Sequence, residues 1–140
     1  MPGKVYSFAI LLGALSVIAV PVLQRRSFIG EGTYYTPSLG SCGIQNTDAD
    51  YIVAVSELLY DSFPGHTDNP NLNPICNRKI IASYGGKSVN VTVTDKCGGC
   101  RGMYDLDFTM TAIKDIVDDP IALGRIPGIE WDWVDAVPTA

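Results

Sequence analysis

Three valines at every second position set the first limit on what this chain can fold into. Val89, Val91 and Val93 alternate with Asn90, Thr92 and Thr94, a period-two pattern that buries one face of a β-strand and leaves the other wet. The β-prone run Lys79–Tyr84 precedes it across Gly85-Gly86-Lys87, so residues 79–94 read as a β-hairpin. Gly32–Tyr35 is short, aromatic and β-prone, with a turn region at Pro37–Gly43 after it. Near the end, Ile129, Trp131 and Trp133 share one strand face, with Glu130 and Asp132 opposite. That pair of tryptophans reads either as a platform for sugar rings or as core closure, and the second is favoured. Two helices are expected. One lies within Asp50–Phe63, with Val53, Leu58 and Leu59 near helical spacing and Asp50 as its cap. The other lies within Thr109–Asp119, where Met110, Ile113, Ile116 and Val117 form one face and Pro120 ends it. Pro64–Pro74 is a polar loop. Asn90-Val91-Thr92 is an N-glycosylation sequon on the wet face of the second hairpin arm.

Ahead of this region, Val5–Leu23 is free of charge and follows Lys4. The pattern is that of a secretory signal peptide, with a membrane anchor as the rival reading. Ala19 as a small residue at a cut site and Pro21 within the stretch favour cleavage. Residues 1–19 are therefore read as a signal peptide and residues 27–140 as one exported domain. The dibasic Arg25-Arg26 marks residues 20–26 either as a short pro-segment or as a frayed basic terminus. Removing residues 1–26 takes away three bases and no acid, which leaves seven basic against fifteen acidic side chains, a net −8. A domain this acidic repels phosphate backbones and anionic lipid, so nucleic acid and membranes are not expected partners. Cys42, Cys76, Cys97 and Cys100 form an even set, which in an exported domain reads as two disulfides. No metal or other cofactor is expected: the single histidine, His66, lies in the polar loop without matching ligand spacing. Pairing across the hairpin turn brings Cys76 towards Cys97, leaving Cys42 for Cys100.

The landmarks in order are Gly32-Thr33-Tyr34-Tyr35, Cys42-Gly43, Ala54-Val55-Ser56 with Leu59-Tyr60, Cys76, Val93-Thr94-Asp95 before Cys97, and Asp105-Leu106-Asp107-Phe108-Thr109. This order resembles the first domain of expansins, and most of all the fungal one-domain loosenins, with bacterial rare-lipoprotein-A-type domains more distant. The resemblance implies a mainly β fold: a six-stranded double-psi β-barrel with two or three short helices. It also implies a shallow groove that binds polysaccharide such as cellulose or chitin. Asp107 takes the central position of that groove. Asp95, Thr33 and Tyr35 follow from the matching motifs, with Tyr34 or Tyr35 stacking on a sugar ring. Asp105 stands where plant expansins carry a histidine. Asp107 read without the resemblance is a cap for the following helical turn.

The related family 45 glycoside hydrolases are inverting enzymes, which need an acid and a base about 6.5–9.5 Å apart across the scissile bond. The position of their base falls on Pro37 here, and no carboxylate occurs between Thr33 and Asp48. Asp105 lies two residues from Asp107, on the same side of a strand rather than across the substrate. The expectation is a secreted, monomeric protein that loosens the cell wall without cutting it. The alternatives are a weak glycosidase or peptidoglycan lytic transglycosylase using Asp107 as a lone acid, a cysteine-protease inhibitor, and a defence or effector protein recognised by a host partner.

Overall fold

The computed structural model describes residues 1–5, 9–10, 13–20 and 27–138. Part of the apolar leader and the dibasic pair lie outside the described residues. Among those described, no helix is long and apolar enough to cross a membrane.

Six strands close into a barrel: β1 Phe28–Tyr35, β2 Ile52–Ser56, β3 Lys79–Tyr84, β4 Lys87–Cys97, β5 Leu106–Thr109 and β6 Ile126–Trp133. Their order around the wall is β1-β5-β2-β4-β3-β6, with β6 returning to β1. Among the described residues, closure leaves no free edge in this sheet. The pairs β1/β5 and β2/β4 are parallel and the rest antiparallel. Three short helices, α1 Glu57–Tyr60, α2 Met110–Lys114 and α3 Pro120–Leu123, lie between strands. The expected double-psi β-barrel is the fold observed.

The hairpin forms as its pattern predicts. Val89, Val91 and Val93 are buried in the core, and Gly85 and Gly86 turn the chain with φ of 56° and 80°, the left-handed pair that a tight hairpin requires. Asn90 is exposed on the outer face. Trp131 and Trp133 close the core, 2% and 7% exposed. The Trp131 indole N–H donates to the Tyr104 carbonyl at 2.8 Å, so neither ring is a surface platform.

The helix expected within Asp50–Phe63 is mostly a strand. Ile52–Ser56 is buried at every position, because Val53 and Val55 face the core while Tyr35, Cys97 and Cys100 cover Ala54 on the other face; one helical turn, α1, follows. Such a strand shows no alternation to distinguish it from a helix. Asp50 caps no helix; it accepts from the Thr47 N–H at 2.9 Å and from the Asn46 amide at 3.1 Å. Within Thr109–Asp119 the regular helix is shorter than its apolar pattern, although Ile116 and Val117 remain buried. Pro120 starts α3, where its missing N–H is no loss.

The disulfide pairing also differs from the sequence expectation. Cys42 bonds Cys76 and Cys97 bonds Cys100, in place of 76–97 and 42–100. The two arms of the hairpin do not run equally far. Lys79 already faces Thr92, and Asn77, in the left-handed region at φ 65°, turns the chain away just before β3. Beyond Thr92, β4 takes β2 as its parallel partner, ending with Cys97 opposite Ser56. Cys76 instead meets Cys42 beside the buried Tyr60, whose hydroxyl lies 3.3 Å from Cys76 Sγ.

The Cys42–Cys76 bridge spans 34 positions and the Cys97–Cys100 bridge only 3. Chain-entropy scaling assigns about 4 kcal/mol to the first and about 2 kcal/mol to the second. In urea unfolding, Cys42→Ser/Cys76→Ser is therefore expected to lose about twice the stability lost by Cys97→Ser/Cys100→Ser.

Candidate functional site

Four strands bring four residues to one level of the barrel wall. Thr33 of β1 faces Asp107 of β5, Asp107 faces Ala54 of β2, and Ala54 faces Asp95 of β4. Val53, Val55 and Phe108 fill the core, so alternation turns Ala54 and Asp107 to the outside.

Asp95 arrives there by a different route. In phase with Val89, Val91 and Val93, it belongs on the core side. A register shift sets Val53 opposite Val93 but Ala54 opposite Asp95, passing over Thr94. This β-bulge reverses the faces of the rest of the strand. Thr94 is left buried with its hydroxyl unpaired among the described residues, while Asp95 reaches the outer row.

Short hydrogen bonds tie the row together. Thr33 Oγ1 donates to Asp107 Oδ1 at 2.7 Å. Asp95 accepts from the Ser41 and Lys96 N–H groups, both at 2.8 Å, and from the Tyr35 hydroxyl at 3.2 Å. Tyr35 packs against Ala54, Cys97 and Cys100, an apolar patch separate from the main core. The small Ala54 leaves room for the phenol to reach Asp95. Gly40 serves the same contact from the other side: a Cβ there would stand 2.5 Å from the Thr94 carbonyl, so only glycine lets this loop lie close enough for Ser41 to donate.

Burial raises the Asp107 pKa above its usual range; the Thr33 hydroxyl and the Arg125 charge oppose the shift, and the Asp95 charge adds to it. Tyr35 is held well above the usual phenol range by burial first, then by the charge and hydrogen bond of Asp95 and by the charge of Asp107. Asp107 is a partly exposed carboxyl with a proton affinity above the ordinary one, in a row of hydroxyls and acids whose middle position, Ala54, is covered by Tyr35, Cys97 and Cys100.

Two expected residues lie elsewhere. Tyr34 occupies the opposite face of β1, level with Phe108, and packs against the core. Asp105 is 4% exposed, and its carboxylate accepts from the N–H groups of Glu31 at 2.8 Å, Arg101 at 2.9 Å and Gly102 at 2.7 Å. It organises the loop before β5 rather than lining the strip. Asp107 caps no helix either: Thr109 is the N-cap residue of α2. Arg125 was not indicated by any motif. It pairs with Glu31 at 2.9 Å and donates to the Gly99 carbonyl at 3.4 Å, so its charge reaches the strip from the turn between α3 and β6. A cavity of about 460 Å³ lies apart from the row, lined by Tyr60, Asp61, His66 and Lys96 among others.

No protein-family model matches the chain. The papain inhibitor of Streptomyces mobaraensis is 30% identical over 118 residues, which cover 82% of this chain and 76% of the inhibitor. The chain belongs to that inhibitor's family, the expansin-like double-psi β-barrels. In a solved structure, Streptomyces papain inhibitor superposes on this expansin-like chain with a TM-score of 0.67 at 29% identity, covering 84% of the chain and all of the inhibitor. A Clavibacter michiganensis expansin variant, solved in complex with cellohexaose, aligns at 25% identity with a TM-score of 0.59, over 81% of this chain and 54% of the expansin. The allergen Asp f 7 homolog of Arthroderma benhamiae is 34% identical over 135 residues, 87% of this chain; the chain spans 44% of that relative's length.

Two outcomes are expected from the site's electrostatics. Because the folded-state pKa of Asp107 is raised, its ionisation costs no stability below the ordinary carboxyl value of 3.8, and the cost grows as pH rises through the folded-state value. Asp107→Asn should therefore raise Tm relative to wild type at pH 7 and lose that advantage near pH 3. Ala54→Leu should push Tyr35 off Asp95, so that the phenol titrates closer to its usual 10.0 in ultraviolet difference spectra.

Proposed function

We propose that this expansin-like chain binds extended cell-wall polysaccharide over the surface formed by Thr33, Asp107, Tyr35 and Asp95 and loosens its packing without cutting it. The observation that carries the reading is the arrangement of the acids. Asp107 and Asp95 stand on one outward face, level with each other across Ala54. An inverting hydrolase needs its base on the opposite face of the sugar. Asp95 lies on the same side of a bound chain as Asp107, and the position of the hydrolase base carries Pro37. The expansin solved with cellohexaose supports a glycan as the ligand class.

Asp107, with Thr33 beside it, exchanges hydrogen bonds with glycan hydroxyls. Tyr35 and Asp95 form a rigid floor, since their polar atoms already bond each other. Each hydrogen bond taken over from a neighbouring glycan chain contributes about 0.5–1.5 kcal/mol net. Loosening is thus weak at each contact and spread along the polymer. A secreted, monomeric protein, glycosylated at the exposed Asn90, fits this role.

A second reading rests on the papain inhibitor, whose sequence matches over most of its length: this barrel inhibits cysteine proteases through its surface loops. The two readings use different surfaces and separate in one set of assays. Wild type should be retained on insoluble cellulose, chitin or peptidoglycan, and Asp107→Asn should reduce retention about tenfold while reducing ends stay at background. Steady release of reducing ends or of anhydro-muropeptides would convert the reading to a lytic one. Stoichiometric loss of papain activity, with no retention on any polymer, would establish the inhibitor reading instead.

A further inference from the structure

The outer face of β6 carries a shallow acidic groove. Strands β3 and β1 flank it. The groove, about 250 Å³, is lined by Glu130 and Asp132 of β6, Ile81 and Ser83 of β3, and Ser27 just ahead of β1. None of Thr33, Asp107, Ala54 and Asp95 belongs to it.

Strand register decides what stands on its bank. Asp132 faces Ile81, and Ile81 faces Asn90 of β4. The row beside it runs Glu130, Ser83, Ser88. Val89 and Val91 point into the core, so Asn90 projects from the same outer face as Ile81 and Asp132. Asn90 therefore stands two strand spacings, about 10 Å, from Asp132, with Ile81 between them. It is exposed, and it is the acceptor position of the sequon Asn90-Val91-Thr92.

The groove has unused capacity of two kinds. Ile81 is 38% exposed, although it lies in the interior of a four-strand face. Among the described residues, neither Glu130 nor Asp132 forms an ion pair, and Asp132 accepts from the N–H of its neighbour Trp133 at 2.8 Å. Ionised carboxylates can only accept hydrogen bonds, so a ligand suited to this groove brings an apolar face for Ile81 and donors for the acids.

We propose that the groove seats the N-linked glycan of Asn90, whose first sugar lies across Ile81 and whose next reaches Asp132 and Glu130. This rests on the export reading above and is independent of the polysaccharide surface. N-acetylglucosamine offers an apolar ring face and an acetyl methyl to Ile81, and hydroxyl and amide donors to the carboxylates. A free sugar would bind so open a groove poorly. Attachment at Asn90 holds the sugars at a high effective concentration over it, so weak contacts are enough. The glycan is then part of the outer wall rather than a chain trailing in solvent.

The test compares the full-length chain secreted from a eukaryotic host with Asn90→Gln, each with and without Ile81→Ser. Intact mass should show one glycan, lost in Asn90→Gln. Nuclear Overhauser contacts should join the acetyl methyl of the first sugar to the Ile81 side chain. Tm of the glycosylated chain should exceed that of Asn90→Gln by roughly 2–5 °C, and Ile81→Ser should abolish that increment, since the two sites then share one interaction. An increment that survives Ile81→Ser, or a glycan without contacts to Ile81, would show a solvent-borne chain and overturn the proposal. Secretion without any glycan would overturn it while leaving export standing, and a chain that never leaves the cell would overturn both. Retention on insoluble polymers tests the polysaccharide surface separately.

Discussion

The candidate site depends on one irregularity, the bulge at Thr94. Without it β4 would continue its alternation, and Asp95 would point into a core of valines and aromatic rings, where an ionised carboxylate is not tolerated unpaired. By passing over Thr94 in the pairing with β2, the strand turns Asp95 and Cys97 outward together. The cost is a buried threonine hydroxyl without a partner among the described residues. The gain is a row in which acids from β4 and β5 flank the smallest side chain on β2. Bulges of this kind commonly re-aim a side chain beside a functional surface.

The row shows how the barrel separates its two chemistries. Inward positions hold Val53, Val55, Phe108 and Trp131, all nearly inaccessible to water. One residue along each strand, the same backbone presents hydroxyls and carboxylates. The carboxylates differ in task because their surroundings differ. Asp105 is saturated by backbone N–H groups and holds a loop. Asp95 is saturated by Ser41, Lys96 and Tyr35 and stiffens the floor. Asp107 alone keeps a protein partner on one oxygen only, and so has capacity to spare for a ligand. Burial, with a smaller contribution from the Asp95 charge, raises its pKa against the opposing Thr33 hydrogen bond and Arg125 charge.

The relatives place two different activities on one scaffold: a papain inhibitor and an expansin solved with cellohexaose share this barrel with the present chain. A closed barrel with short strands tolerates this, because the wall is held by its own hydrogen bonds and the connecting loops are free to vary. The strip belongs to the wall, whereas the loops around Pro37–Gly43, Pro64–Pro74 and Cys97–Asp105 differ in how they are anchored. Asn73, which bonds the Tyr60 carbonyl at 2.7 Å, fixes the middle one; the disulfide and Arg125 fix the last.

Local pattern was enough for the hairpin, the inward face of β6 and the β-prone start of β1, because each of these strands has one face in the core and the other outside, and half-burial writes an alternation into the residues. The order of short motifs was enough for the family, and it singled out Asp107, Asp95 and Thr33, which the barrel brings to one row. What the chain alone did not reveal follows from contacts between distant segments. Strand β2 is covered on both faces and carries no alternation, so its helical spacing was misleading. The disulfides depend on where β4 leaves β3 for β2, a change of partner decided by barrel closure. Tyr34 and Asp105 were indicated by motif, yet the facing of β1 and three backbone N–H groups take them out of the strip. Arg125 enters from a turn with no motif at all. Side-chain type and spacing determine which strands can exist, since they act over a few residues; which face each strand turns to which neighbour is settled only when the barrel closes, because burial is a property of the whole wall.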